Sequence, residues 1–481
     1  MSNLKETALR GLLWSLSEKF LSKGIAFVVS VVLARVLLPS DFGQIALISI
    51  VIALGQTLSD SGMTQSLIRS QNLDNGDYST VFILNVVVSV FIYCVVYFLS
   101  PFIASFYSEP GLVKILRVLS LQIPLASFTS IQETHLTKEM EFRKQMLIQI
   151  PSKLISGILG IALAYSGFGV WSLVYMYLSA VFINSLLLWF SSNWWPKAIF
   201  DLAKLKYHFN YGIKLTLSSL VTTIYENIYQ ILIGKYYSST DLGFYTRALE
   251  TQRLPVSNLS AALNKVTFPM FAMIQNDDEK LKKSYKALMI QVVFWVLPAM
   301  LILNISSEPL FNLLFTEKWS ESIPYFELLC FAGICYPLSS YNLGILKIKG
   351  RSDLFLKLEI IKKSYITIFL IMFLTKGILF LIILSVITSF IAVILNSYYS
   401  GRLINYGLIE QLKDLIPTVL LALFVYFLTY YSFSLLHNLT DFSKVFITTI
   451  LFLSLYLGGA YILKFQIFNE LKAILKYRRN Y

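Results

Sequence analysis

About fourteen apolar blocks, each long enough to cross a bilayer as a helix, follow one another along this chain: 11–37, 42–68, 80–106, 112–135, 146–166, 169–190, 209–234, 242–273, 287–306, 323–346, 358–375, 378–400, 415–436 and 444–465. No stretch between them is polar enough to be a soluble domain. The chain is 56% hydrophobic and 14% charged, and the charges cluster between the blocks. This predicts an all-α polytopic membrane protein. The net charge of +13 then reads first as cytoplasmic loop charge and second as a preference for anionic ligands.

Loop charge predicts the orientation. One set of connections holds Lys138, Arg143, Lys144, Lys197, Lys204 and Lys206, then Lys280 to Lys286, Lys347, Lys349, Arg351 and Lys357. The tail adds Lys472, Lys476, Arg478 and Arg479, whereas the opposite connections hold mainly Lys235, Lys318, Lys376 and Lys444. The richer set is expected inside, which puts both termini in the cytoplasm. The first block carries Glu18, Lys19 and Lys23 and lacks a small-residue cleavage site, so no cleavable signal peptide is expected. Cys94, Cys330 and Cys335 all lie in apolar blocks and read as buried thiols.

A hairpin occurs twice. Arg35-Val36-Leu37-Leu38-Pro39-Ser40-Asp41-Phe42-Gly43 and Lys235-Tyr236-Tyr237-Ser238-Ser239-Thr240-Asp241-Leu242-Gly243 keep a base, an acid and a glycine in register, offset by 200 residues. Each follows one helix pattern and begins another. The aspartate is expected to act as the N-cap and the glycine to permit close packing. Six blocks separate the copies, so the halves run in the same direction as a parallel repeat. Lys153 and Lys363, and Gly167 and Gly377, recur with an offset of 210, and the drift is assigned to a longer outer loop at Ser307–Ile323. The expected architecture is an N-terminal six-helix lobe at 1–206, a second at 207–413, and two further helices with a basic tail at 414–481. Blocks 13 and 14 are apolar all round and are expected at the lipid-facing periphery.

Ionisable groups inside membrane helices are costly, about 2.5–3.5 kcal/mol on insertion scales, and normally face a partner or water. Block 8 places Glu250, Arg253, Ser257, Ser260 and Asn264 on one face, with Arg247 one turn earlier. Block 7 does the same with Tyr211, Lys214, Ser218, Thr222, Tyr225 and Tyr229, and Glu226 lies beside them. Block 1 has Ser15, Glu18, Lys19, Ser22 and Lys23, and block 2 has Gln56 and Asp60. Lys153 and Lys363 add cations from blocks 5 and 11. The functional expectation is a hydrated, net-positive central cavity. Arg253, Lys214, Lys23, Lys19, Lys153, Lys363, Arg247, Tyr225, Tyr229 and Asn264 would contact an anionic, hydroxyl-rich substrate, and Glu250, Glu226, Asp60 and Glu18 would serve ion coupling or gating. The competing expectation is structural: Glu250 pairs with Arg253, and hydroxyls join helices. His135, His208 and His437 have no ligand spacing, so neither a metal nor a cofactor is expected. No phosphate loop, H-E-x-x-H or G-x-S-x-G occurs.

Several stretches resemble a known family. They are L-A-R-x-L-x-P-x-D-F-G from Leu33, Gly167-Phe168-Gly169-Val170-Trp171-Ser172-Leu173-Val174, Ile233-Gly234-Lys235, Asp241-Leu242-Gly243-Phe244-Tyr245-Thr246-Arg247-Ala248 and Phe268-Pro269-Met270-Phe271. Over about the first 400 residues the chain is similar to the Wzx-like polysaccharide-exporter flippases of the multidrug/oligosaccharidyl-lipid/polysaccharide (MOP) superfamily, nearest to the colanic- and teichuronic-acid exporters. The resemblance implies two six-helix lobes in a V, two further helices, and turnover of undecaprenyl-pyrophosphate-linked oligosaccharide to the outer leaflet without bond chemistry. Some members carry Asp where this chain has Tyr229, which leaves an ion-coupling role there unsupported. Expected partners are the lipid-linked oligosaccharide, membrane lipids, and a polysaccharide polymerase and glycosyltransferases of the same pathway. Nucleic acid is not expected, and the chain is read as a monomer of the bacterial cytoplasmic membrane. Two rival readings are an ion-coupled drug exporter of the same superfamily and a membrane polymerase or glycosyltransferase.

Overall fold

The computed structural model describes residues 2–436 and 438–465, without the side chains of 2–10, 12, 13, 16, 257–266, 268 and 269. His437 and the basic tail fall outside the described residues. In chain order the α-helices are α1 Ser2–Val36, α2 Pro39–Asp60, α3 Met63–Arg69, α4 Asn75–Phe106, α5 Leu112–Leu119, α6 Gln122–Ser127, α7 Ser130–Lys138, α8 Phe142–Tyr165, α9 Val170–Ser191, α10 Leu202–Glu226, α11 Ile228–Tyr236 and α12 Ser239–Met273. They continue as α13 Asp278–Ile305, α14 Ser307–Phe315, α15 Ser322–Ile348, α16 Ser352–Phe373, α17 Ile378–Ile404, α18 Leu408–Phe433 and α19 Asp441–Ile462.

Each expected apolar block lies on a helix or a run of short helices. Among the described residues, nine helices are long and apolar enough to cross a membrane, and ten if the bent run α5–α7 counts as one. The four blocks that fall short are those on α1, α10–α11, α12 and α16. They are the helices to which the sequence assigns most of its intramembrane charge, so polarity rather than length separates fourteen from ten. The chain is a multi-pass membrane protein. The stretch expected as a longer outer loop, Ser307–Ile323, is instead mostly α14 and a 3₁₀ turn at Glu317–Trp319. Apolar residues every three or four positions, Leu310, Leu313 and Leu314 among them, wind it into a helix. Cys330 and Cys335 are buried, but Cys94 is exposed on α4.

The chain divides into two compact units, Met1–Thr246 and Arg247–Tyr481. In the first, α8 packs between α1 and α9, while α2 lies against α4, α6 and α10. Pro101 inside α4 removes a helical N–H and frees the Tyr97 carbonyl. Ser100 Oγ donates to that oxygen at 2.7 Å and Arg117 Nε at 3.4 Å.

In the second unit α13 is the hub, and two apolar clusters form on its faces. One joins it to α15, with Tyr285, Met289 and Val292 against Tyr341 and Ile345. The other seats α18 and α19, through Ala422, Val425, Phe452 and Tyr456, on Phe294 and Leu297. Pro298 frees the Phe294 carbonyl as Pro101 frees Tyr97, and Tyr456 Oη donates to it at 3.1 Å. The remaining surface of α18 and α19 is mostly unburied and apolar, as in Leu420, Phe424 and Ile450.

Candidate functional site

The two hairpin copies meet each other. A Cβ added at Gly43 would lie 1.7 Å from the Ser239 carbonyl oxygen, and one at Gly243 would lie 1.9 Å from that of Pro39. Each glycine thus seats the first turn of the other copy, an exchange with the symmetry expected of a repeat. The aspartates do not act as N-caps. Helices α2 and α12 start at Pro39 and Ser239, so each aspartate lies in the first turn and reaches back. Asp41 accepts the Leu38 N–H at 3.0 Å; Asp241 accepts the Ser238 N–H at 3.2 Å and its hydroxyl at 2.6 Å. Glu109 ties the pair together, accepting Ser239 Oγ at 2.5 Å and Gln44 Nε2 at 3.5 Å. Lys235 donates to the Phe106 carbonyl at 2.6 Å, and Arg35 is exposed.

Helix α10 carries one long polar stripe, paired at its N-terminal end and exposed toward its C-terminal end. Lys204, His208 and Tyr211 recur at helical spacing and face α3 and α4. Lys204 pairs with Asp74 and Asp77; His208, 0% exposed, bridges Ser66 Oγ at 2.8 Å and Asp77 Oδ1 at 3.1 Å. Arg69 lies 4.7 Å over the Tyr211 ring. Gly212 and Gly62 abut backbone to backbone, and Gly62 has φ +63°. Further along the same stripe Lys214, Ser218, Thr222 and Glu226 are exposed, and Tyr225 is half-buried, as is Tyr229 on α11.

The remaining expected residues differ in burial and in the partners they meet. Glu18 accepts Ser22 Oγ at 3.0 Å and lies 3.7 Å from Lys153, so an expected gating acid and an expected substrate base pair with each other. Lys19 and Lys23 are exposed, and Lys363 lies 3.9 Å from Glu359. Arg247 is 4% exposed, with its guanidinium about 5 Å from the ring centres of Phe315 and Trp319. The expected Glu250–Arg253 pair is absent: Glu250 lies 3.8 Å from Arg247, one turn back. Arg253 is exposed and has no ion pair among the described residues. The Asn264 side chain falls outside the described residues, as do those of Ser257 and Ser260.

One polar cavity escaped sequence reasoning almost entirely. It has a volume of about 360 Å³ and lies within the first unit, lined by Gln56, Asp60, Thr64, Asn85, Ser130 and Glu133 among others. Of this lining the sequence singles out Gln56 and Asp60, the polar groups of block 2. The other signal was present in the sequence: Asn85 interrupts an apolar block, and Gln132 and Glu133 end another. Among the described residues no group of three His, Cys, Asp or Glu side chains is placed to hold a metal ion.

Residues 32–324 match the family described as polysaccharide biosynthesis protein. The lipopolysaccharide biosynthesis protein WzxC of Escherichia coli (strain K12) is 26% identical over 366 residues, covering 75% of this chain and 74% of that protein. The teichuronic acid biosynthesis protein TuaB of Bacillus subtilis (strain 168) is 28% identical over 62% of each chain. The succinoglycan biosynthesis transport protein ExoT of Rhizobium meliloti (strain 1021) is 25% identical over 70% of this chain and 68% of its own. Among solved structures, the lipid II flippase MurJ in an inward closed conformation aligns with a TM-score of 0.76 at 16% identity, over 95% of this chain and 99% of that one. An inward-facing multidrug resistance MATE family transporter of the MOP superfamily aligns with a TM-score of 0.61 at 17% identity, over 82% and 98%. The relatives and neighbours named for an activity are transporters and flippases rather than enzymes. Matched over more than half its length, and built on the fold of those transporters, the chain belongs to the polysaccharide biosynthesis protein family.

Proposed function

We propose that this protein is a flippase. It translocates undecaprenyl-pyrophosphate-linked oligosaccharide across the bacterial cytoplasmic membrane by alternating access, for cell-surface polysaccharide synthesis. The observation that carries the reading is Arg253: exposed on a helix of a polysaccharide-biosynthesis family member, with no ion pair among the described residues. It lies about eleven residues into its apolar block, roughly 16 Å along the helix at 1.5 Å per residue. At that depth an arginine is rarely kept without a partner or a ligand. A pyrophosphate is the costly part of the substrate to move through hydrocarbon, and a guanidinium matches its oxygens in bidentate geometry. Lys214, Ser218 and Thr222 on the exposed part of the α10 stripe supply a further cation and hydroxyls.

The finer architecture belongs to the same reading: fourteen spans, two parallel six-helix repeats at 1–206 and 207–413 around a central cavity, and both termini in the cytoplasm. Polar helices α1, α10, α12 and α16 then cross the membrane because their polar faces meet water and substrate. The reciprocal glycine contact of the two hairpins supports the repeat, and Gly167 and Gly377 support it again, each with positive φ before α9 and α17. The drug-exporter rival favours acids on its substrate faces. Here the exposed positions Lys19, Lys23, Lys214 and Arg253 are basic, beside Glu226 and Glu250.

Depletion of the protein in its native cell tests the reading. Lipid-linked oligosaccharide should accumulate on the inner leaflet while surface polysaccharide falls. Unchanged surface polysaccharide with no accumulated intermediate would contradict it.

A further inference from the structure

We infer that adjoining ends of α16 and α17 form a binding site for an anionic glycerophospholipid, whose headgroup is held by Lys357 and Arg402 around the ring pair Tyr398 and Tyr399. The site lies wholly within the second unit, and the inference does not depend on which molecule the protein transports.

Helix periodicity sets the placement. On α17 Ile387, Phe390, Ile394, Tyr398 and Arg402 recur every three or four residues, so they share one face, and all five are exposed. The face is apolar until its last two turns, where an aromatic ring and then a base close it. Helix α16 packs on α17 and presents exposed Leu356 and Ile360 beside the equally exposed Lys357. A chain of contacts joins the two bases across the helix pair. Lys357 Nζ lies 5.8 Å from the centre of the Tyr399 ring, that ring lies 5.3 Å from the Tyr398 ring, and the Arg402 guanidinium lies 4.4 Å over Tyr398. Among the described residues neither base has an ion pair.

The carboxylates near these bases are already committed. Helices α16 and α18 carry Asp353, Glu359, Glu410 and Asp414, and α17 carries none. Asp353 pairs with Arg351, Glu359 with Lys362 and Lys363, Glu410 with Lys282 and Asp414 with Lys286. Lys347, in the last turn of α15, adds a third base, 4.8 Å over the Phe355 ring. Positive charge is therefore left uncompensated at one end of an exposed apolar face. A free phosphate would answer the charge and leave the apolar face uncovered, and a neutral lipid would do the reverse. An anionic glycerophospholipid does both: its phosphate meets the bases, and its acyl chains lie along Leu356, Ile360 and the α17 row. Bases and rings at helix ends occupy the headgroup level of a bilayer. A base that only sought water would extend away from the protein. Lys357 and Arg402 instead lie against rings that hold them side by side, and the guanidinium and the tyrosine hydroxyls can donate to phosphate oxygens.

The test is native mass spectrometry of the purified full-length protein, titrated in detergent with phosphatidylglycerol and, as the neutral control, phosphatidylcholine. A base near an anionic headgroup is worth about fivefold in affinity, so two should give the wild-type protein a preference of roughly 25-fold for phosphatidylglycerol. Lys357→Gln combined with Arg402→Gln should abolish that preference. Tyr398→Ala should weaken it with no change of charge. Lys280→Gln combined with Lys283→Gln removes two exposed bases elsewhere in the second unit and should leave it intact. An unchanged Tm in phosphatidylcholine nanodiscs establishes that each variant is folded, and the wild-type comparison stands without them. Equal retention of the two lipids by the wild-type protein, or an equal loss in the Lys280 and Lys283 variant, would leave only a general attraction of a basic protein for anionic lipid and overturn the inference. Displacement of phosphatidylglycerol by equimolar undecaprenyl pyrophosphate would assign the site to a transported lipid and overturn it too. None of these results bears on whether the protein is a flippase, which is read by transport.

Discussion

Each unit contains a buried polar cluster among membrane helices, and the two clusters are built on opposite terms. In the second unit Asn342, Ser397, Ser400 and Gln411 satisfy one another. Asn342 Nδ2 donates to Ser397 Oγ at 3.1 Å and Gln411 Oε1 at 3.3 Å, its Oδ1 accepts Ser400 Oγ at 2.5 Å and Gln411 Nε2 at 3.2 Å, and Gln411 Nε2 also reaches the Tyr406 carbonyl. In the first unit Asp60 and Asn85 each keep a buried oxygen without a hydrogen-bond partner among the described residues, beside an open cavity. The first cluster includes the carboxylates Asp60 and Glu133, whereas the second is made of neutral amides and hydroxyls. They also differ in hydrogen-bond completeness: the complete set holds α15, α17 and α18 together, and the incomplete set borders a cavity.

The difference can be broken by mutation, and the largest effect should come from the complete cluster. Gln411→Leu removes two hydrogen bonds from Asn342, the acceptor of the Ser397 hydroxyl and a donor to the Tyr406 carbonyl, and a buried orphan costs about 1–3 kcal/mol. Abundance and Tm should fall while transport per folded molecule is retained. A normal Tm with lost transport would place a ligand there. Next are the hairpin acids, whose loss to Ala should cost about 0.5–2 kcal/mol. Asp241→Ala should cost more than Asp41→Ala in urea or thermal unfolding, since Asp241 accepts both the N–H and the hydroxyl of Ser238, whereas Leu38 at the matching position has no hydroxyl to donate. Equal losses would deny that difference.

A smaller loss is expected from Tyr456→Phe, which returns the Phe294 carbonyl to the unpaired state Pro298 created, about 0.5–1.5 kcal/mol. Its signature is a lower Tm that Pro298→Ala in the same chain restores, because the helical N–H is then present. The smallest effect concerns pH. The Lys204 ammonium beside Asp74 holds its carboxyl well below the usual carboxylate range. A depressed folded pKa gives stability that is full above the unfolded value and lost as pH falls through the lowered one, so the window lies below about pH 4. Tm should fall less steeply there in Asp74→Asn than in the wild-type protein; parallel curves would remove this pair from the account.

The helices and the doubled hairpin were legible in the sequence because both are local patterns: apolar runs of spanning length, and a base, acid and glycine at fixed spacing. What the hairpins do to each other was not, since Gly43 meeting Ser239 is a contact across 196 residues. Charge pairing was legible only as a choice of neighbours. Glu250 has a base one turn away on either side, and burial of Arg247 between two rings, invisible in the sequence, decides which one it meets. The cavity stayed hidden because its residues are single polar interruptions in separate apolar blocks. His208 stayed hidden because no ligand spacing marks it, while its partners Ser66 and Asp77 come from other helices.

Reconstitution of the purified protein in liposomes carrying a fluorescent undecaprenyl-pyrophosphate oligosaccharide tests the central claim most directly, with the rate at which the label crosses read by an impermeant quencher. The wild-type protein should speed crossing well above protein-free liposomes. Arg253→Ala, incorporated to the same level, should return the rate to that background, and Arg253→Lys should recover part of it. A wild-type rate no faster than protein-free liposomes, or full crossing with Arg253→Ala, would contradict the account.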